Sequence, residues 1–222
     1  SMKLSYPYLS EVFIIENQAV NTLVVESQKF FREILLDIKS QTEGCDGNTV
    51  LSDEGVTLSF SKYAEIITDF LSFDINRKEL LTRVVSALEK EAYSETNFMQ
   101  TQELLSSVES YIDTLAFEYS CDIVPTKIHM SGILKSAGIL IQCDSKDPLD
   151  MLLDYMELVR EFDHDKLFIT VNLRSYYNDE TILKFIETVL AHDYKVFMIE
   201  NKDYPVLAKE KRRTVDEDLC EF

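Results

Sequence analysis

The chain has no tryptophan, only five glycines and only four prolines among 222 residues. The glycines stand at 44, 47, 55, 132 and 138. A phosphate cradle needs glycine, because backbone N–H groups must approach the phosphate closely. None of the five falls at a strand-to-helix turn of the clearest strand–helix–strand stretch, which excludes a glycine-rich phosphate loop there. Cysteine is sparse too. Cys45, Cys121, Cys143 and Cys220 form no Cys-x-x-Cys pair, so neither a zinc knuckle nor a secreted disulfide framework fits. His129, His164 and His192 are scattered, and His192 reads as a helix-end residue placed where positive charge is favoured. No apolar run approaches the ~20 residues of a membrane span. Positive charge is the largest shortage: 22 Lys and Arg face 40 Asp and Glu, a net charge of −18. As an average that opposes nucleic-acid binding, although a ring or cleft can be basic inside and acidic outside. With 45% hydrophobic and 28% charged residues, the composition is that of a globular cytoplasmic protein. Ser1 before Met2 reads as an expression scar.

Residues 166–200 carry the strongest pattern. Leu167-Phe168-Ile169-Thr170-Val171 is a run suited to a strand buried on both faces. Asn178-Asp179-Glu180 opens a helix with acids in its first turn. Ile182, Phe185, Ile186, Val189 and Leu190 repeat at helical spacing. Val196-Phe197-Met198-Ile199 is a second buried strand. Such a βαβ unit predicts an α/β fold with a mostly parallel sheet covered by helices. Upstream, 12–15 and 22–25 read as strands, 28–39 as an amphipathic helix and 53–55 as a hairpin turn. From Tyr63 the pattern turns helical: Asn76 with Glu79 resembles a capping box, and 104–115 is a long helix. A short helix follows and ends at Gly138, and Ile139-Leu140-Ile141 reads as strand. Asp147-Pro148 opens another helix. The expected organisation is an α/β head, 1–62 with 138–222, interrupted by a helical leg, 63–137.

Chemistry is thin. The first βα turn, Val25-Glu26-Ser27-Gln28, stands where a phosphate loop would sit, but has no glycine and carries an acid that repels phosphate. Nucleotide hydrolysis is not expected there. Glu200-Asn201-Lys202 follows a buried strand, and a carboxylate with a lysine can serve a metal-dependent nuclease; it can equally be a solvated strand end. Seven acids and no Lys or Arg lie between Glu91 and Thr126. Glu118 and Asp122 share a face if the helix persists that far, a start toward a calcium site or simply an exposed acidic face. Lys209-Glu210-Lys211-Arg212-Arg213 is the densest basic run, either a phosphate contact or a surface loop offsetting nearby acids.

Several segments in order resemble the ring-forming spacer-acquisition protein of type II-A CRISPR systems. They are Ile66 to Asn76, Lys135-Ser136-Ala137-Gly138, Lys166 to Asn172, Glu200 after the second strand, and Val215-Asp216-Glu217-Asp218. The resemblance implies a degenerate nucleotide-binding head with an inserted helical leg. It further implies a homotetrameric ring that takes double-stranded DNA through a basic channel at free ends, with no catalysis and no nucleotide. Implied partners are DNA, further copies of the chain, the other CRISPR adaptation proteins and the guide-directed nuclease, with no membrane. Lys135 and Lys166 match family lysines and are expected to contact DNA, as are Lys127, Lys211, Arg212 and Arg213. Calcium at the head–leg junction is also implied. The family's acidic cluster is thinned here to Glu118 and Asp122, with Val124-Pro125-Thr126-Lys127 where further carboxylates stand in the family. A metal-dependent nuclease using Glu200 and Lys202, and a protein-only scaffold, are the rival readings.

Overall fold

A computed structural model describes residues 1–222. In chain order the elements are β1 (Lys3–Ser5), β2 (Phe13–Ile14), β3 (Val20–Val25), α1 (Gln28–Thr42), β4 (Val50–Asp53), β5 (Val56–Leu58) and a one-turn α2 (Phe60–Tyr63). There follow β6 (Ala64–Ile67), α3 (Lys78–Ala92), α4 (Phe98–Ala116), α5 (Met130–Ala137) and α6 (Pro148–Phe162). The chain ends with β7 (Leu167–Val171), a 3-10 turn (Leu173–Ser175), α7 (Asp179–Ala191), β8 (Lys195–Glu200) and β9 (Glu210–Val215). No helix is long and apolar enough to cross a membrane.

Five strands form a parallel sheet in the order β6-β7-β8-β3-β9. Every residue of β3 and β7 is buried, as strands covered on both faces require. On one face Leu23, Val25, Ile169, Phe197 and Ile199 pack against Phe30, Ile34 and Ile38 of α1. A small antiparallel sheet, β2-β1-β4-β5, adds Leu4, Phe13 and Leu51 to this core. The other face meets α6, through Tyr155 edge-on to Phe168, and α7, which packs on β8. The helix starts follow their caps. Ser27, Asp147 and Asn178 accept from Phe30, Leu149 and Thr181 N–H groups. Pro148 occupies the first turn of α6, where its missing N–H costs nothing.

The chain divides into two compact units, 1–73 with 145–222, and 74–144. The sheet unit therefore extends past the expected boundary at 62. Residues 64–67, expected in the helical leg, are the edge strand β6, paired in register with β7 from Ala64↔Leu167 to Ile67↔Thr170. Its charged Glu65 hides the alternation that marks a strand. On the other side the expected strand Ile139–Ile141 forms no ladder. Asn76 takes the place of a neighbouring strand: its amide donates to the Ile141 carbonyl (3.1 Å), and its oxygen accepts from the Ile141 N–H (2.7 Å). Asn76 consequently does not cap α3, whose N-cap position is taken by Arg77 with no side-chain capping bond.

Asn76→Ala removes both partners of Ile141 at once, and unpaired backbone groups cost about 1–3 kcal/mol. The expected result is a urea midpoint lowered accordingly, with faster hydrogen exchange at the Ile141 amide. Unchanged exchange at that amide contradicts the assignment.

Candidate functional site

Parallel α/β sheets present ligand sites at the carboxyl ends of their strands. Here a buried charged cluster runs from that edge, at Glu200 and Arg174, across one face of the sheet to the amino end of β9 at Glu210. Strand register sets Glu210, Arg212 and Thr214 of β9 beside Val20, Thr22 and Val24 of β3, with Met198 and Glu200 of β8 across from Thr22 and Val24. Paired residues of parallel strands share a face, so all of these side chains project to the side opposite α1. Arg174, from the turn after β7, completes the group. Its side chain is 1% exposed. It donates to Asp179 Oδ1 (2.8 Å) and to the Pro205 carbonyl (2.9 Å), and pairs with Glu210 Oε2 at 3.5 Å. The guanidinium lies over the Tyr204 ring, 4.9 Å from its centre. Glu210 is equally buried and receives Arg212 Nη2 (2.8 Å), Arg212 Nε (3.1 Å) and the Leu207 N–H (2.8 Å). Arg212 also bonds Asp203 (2.8 Å) and the Tyr204 carbonyl. The loop 201–209 is thus tied down by two guanidiniums.

Glu200 ends β8 inside this cluster, 1% exposed. Oε1 accepts the Arg174 backbone N–H at 3.2 Å, and Oε2 has no hydrogen-bond partner. Burial pushes its carboxyl up to about 7, against the pull of the Arg174 N–H and charge and with the push of Glu210. Asn172, at φ 56°, staples the neighbouring strand end. Its N–H bonds the Ile199 carbonyl (2.9 Å), and its side-chain oxygen accepts from Asn201 N–H (3.0 Å). An asparagine tolerates that left-handed backbone.

The first βα turn is closed in the same way. Glu26 N–H donates to the Val215 carbonyl (2.9 Å), Ser27 Oγ takes Phe30 N–H (3.4 Å), and Ser27 C=O takes Phe31 N–H (2.9 Å). Three N–H groups at this turn, those of Glu26, Phe30 and Phe31, are thus bonded within the fold.

The basic residues read from the sequence fall in different surroundings. Arg212 is 7% exposed and fully engaged in the cluster. Arg213 donates to the Glu11 and Val12 carbonyls (2.7 and 3.0 Å), pairs with Glu11 and Glu221, and lies over Phe13 at 4.2 Å. Lys211 reaches Glu16 at 3.5 Å. The run is strand β9, not a surface loop. Lys166, just before β7, donates to the Lys62 carbonyl (2.8 Å), which brings these two lysines to the amino edge of the sheet. Lys135 and Lys78 line one groove between α3 and α5, of about 500 Å³, with Ser131 and Asn76. Lys127 lines another of about 520 Å³, with His129, Glu89 and Glu109. Lys202 is exposed. Sequence reading passed over Lys62, Lys78 and Arg174, none of which belongs to a motif.

Glu118 and Asp122 do not share a helical face, because α4 ends at Ala116. Both are exposed on irregular backbone, and nowhere do three His, Cys, Asp or Glu side chains gather. Calcium takes six to eight oxygens, so this pair does not fit it.

A raised folded-state pKa means the native protein holds the Glu200 proton more tightly than the unfolded chain. Its contribution to stability is therefore largest below about pH 4.5 and is lost as pH rises through about 7, by roughly 3 kcal/mol. Glu200→Gln should abolish this component. The stability of the native chain relative to the variant should fall by that order between the two pH values in urea titrations. Parallel pH profiles contradict the assignment.

No curated protein matches the chain. Among solved structures, a putative ABC transporter (ATP-binding protein) from Pyrococcus furiosus superposes with a TM-score of 0.42 at 9% identity, over 95% of this chain and 96% of its own. The family described as CRISPR-associated protein (Cas_Csn2) matches residues 41–219. This span takes in both compact units, and the chain belongs to that family, with a role in CRISPR adaptation.

Proposed function

We propose that the chain is a non-catalytic, sequence-independent binder of double-stranded DNA ends, acting as a homotetrameric ring during spacer acquisition. The observation that supports the non-catalytic part is the glycine-free βα turn at 25–28, whose Glu26 N–H is bonded to Val215, together with the burial of Arg174, Glu200, Glu210 and Arg212 in one internal cluster. A nuclease reading through Glu200 needs a carboxylate that reaches solvent and a second acid beside it, and Glu200 is buried against an arginine. DNA contact is assigned to Lys127, Lys135 and Lys166, with Lys78 and Lys62 beside them. Lys211, Arg212 and Arg213 brace β9 instead, since each is held by acids of the same chain. Self-association is supported by the helical unit. α3 buries only Leu80, and Leu88, Tyr93, Phe98 and Met99 are exposed near the α3–α4 turn, where a further copy can cover them. Calcium is not required, given the donor set at Glu118 and Asp122.

Phosphate contacts release counterions, so affinity falls steeply with salt and carries no sequence preference. Gel shifts at low salt should give binding to linear duplex, none to covalently closed circles, and no change in chelator. Replacing Lys78 and Lys135 together by Gln should reduce the salt slope by about 2. Equal binding to closed circles contradicts threading, and an unchanged slope contradicts the assigned lysines.

A further inference from the structure

The groove between α3 and α5 is polarised along its length. Asn76, just before α3, bonds Ile141, just after α5. Glu89, near the end of α3, lines the neighbouring groove with His129, the N-cap of α5. The two helices are therefore antiparallel. In the groove of about 500 Å³ this sets Lys78 and Lys135 together at one end and Glu89 at the other, with Leu81, Val85 and Ser131 between them. Glu89 lies three turns beyond Lys78, about 16 Å at 1.5 Å per residue. Both lysines are exposed. Lys211, Arg212 and Arg213 are each held by acids of the chain, and no such ion pair holds Lys78 or Lys135.

We propose that this groove receives the 5′-terminal nucleotide of a DNA strand, with its phosphate on Lys78 and Lys135 and its base on Leu81 and Val85. Charge orients the ligand. A terminal phosphate monoester carries close to two negative charges near pH 7, about twice a backbone diester, and two unpaired ammonium groups at one end match it. At the other end Glu89 repels phosphate, so the anion has one place to lie. Leu81 and Val85 are half-buried. They form an apolar floor for the face of any base, a contact without sequence preference. Ser131 offers a hydroxyl between the two ends. The interior of a duplex cannot use such a groove. Its bases are paired and stacked between diesters, and leaving the stack costs least where a base is already unpaired. Ends are thus selected by their chemistry, in addition to any selection by threading.

This inference rests on the end-binding reading of the chain, and its test separates the two. The probes are linear duplexes of one sequence with an unpaired nucleotide at each 5′ end, carrying either a 5′ phosphate or a 5′ hydroxyl. Their affinities for the full chain are read by fluorescence anisotropy at one salt concentration. The Leu81 and Val85 methyl resonances are followed with deoxyadenosine 5′-monophosphate, and with deoxyadenosine as control. The phosphorylated duplex should bind about tenfold more tightly, the worth of one charge-assisted hydrogen bond. The mononucleotide, and not the nucleoside, should shift both methyls. Lys78→Gln with Lys135→Gln changes two exposed positions, so melting temperature and oligomer size should hold while both preferences vanish. Equal affinity of the native chain for the two duplexes overturns the site. A phosphate preference that persists in the variant overturns it as well, and makes the lysines ordinary backbone contacts. Dissociation of the oligomer in the variant makes the groove a contact between copies and overturns it too. Failure of both duplexes to bind counts against the end-binding reading, and the methyl shifts then decide the groove by themselves.

Discussion

The buried guanidinium of Arg174 is the contact on which the packing over one face of the sheet unit depends. It joins three separated pieces of chain: the α7 N-terminus through Asp179, the 201–209 loop through Pro205 and Tyr204, and β9 through Glu210. Glu210 then passes the connection to Arg212, and Arg212 to Asp203 and Tyr204. Buried ion pairs add little net stability over apolar packing, but removing one partner leaves a charge stranded. The cluster is therefore better understood as fixing register, with β9 parallel to β3, than as a source of energy.

The chain's net charge of −18 is an average over dissimilar regions. Lysines gather in small sets, Lys62 with Lys166 and Lys78 with Lys135, while acids and exposed aromatics dominate the end of α4. On the proposed function, such a distribution would keep the acidic regions off the duplex and confine phosphate contact to a few places.

Much of the fold was legible because its elements obey single rules. β7 and β8 are built on short apolar runs, Leu167-Phe168-Ile169 and Val196-Phe197-Met198-Ile199, β3 ends in Leu23-Val24-Val25, and α1, α6 and α7 begin with Ser27, Asp147-Pro148 and Asn178. What was illegible depends on tertiary context. β6 contains Glu65, and β9 reads Glu-Lys-Arg-Arg-Thr-Val; both lie at sheet edges, where polar side chains survive because they find partners in the fold. Ile139–Ile141 has strand composition, yet its backbone is satisfied by the Asn76 side chain rather than by a ladder. The site was less legible than the fold. A basic run in sequence cannot distinguish cations facing a ligand from cations facing Glu11, Glu16 and Glu210. Arg174 has no sequence signal, since its partners arrive from 179, 204, 205 and 210. The family resemblance identified the chain's role where residue chemistry alone left three readings open.

The central claim is that the first βα turn of the parallel sheet, which lacks glycine and has its Glu26 N–H bonded to Val215, does not serve as a phosphate cradle. Differential scanning calorimetry with magnesium and ATP tests it most directly, because a ligand that binds only the native state raises the melting temperature in proportion to its occupancy. The account predicts no shift at any nucleotide concentration and no release of phosphate. A saturable rise in melting temperature, lost on Glu26→Ala or Ser27→Ala, contradicts it.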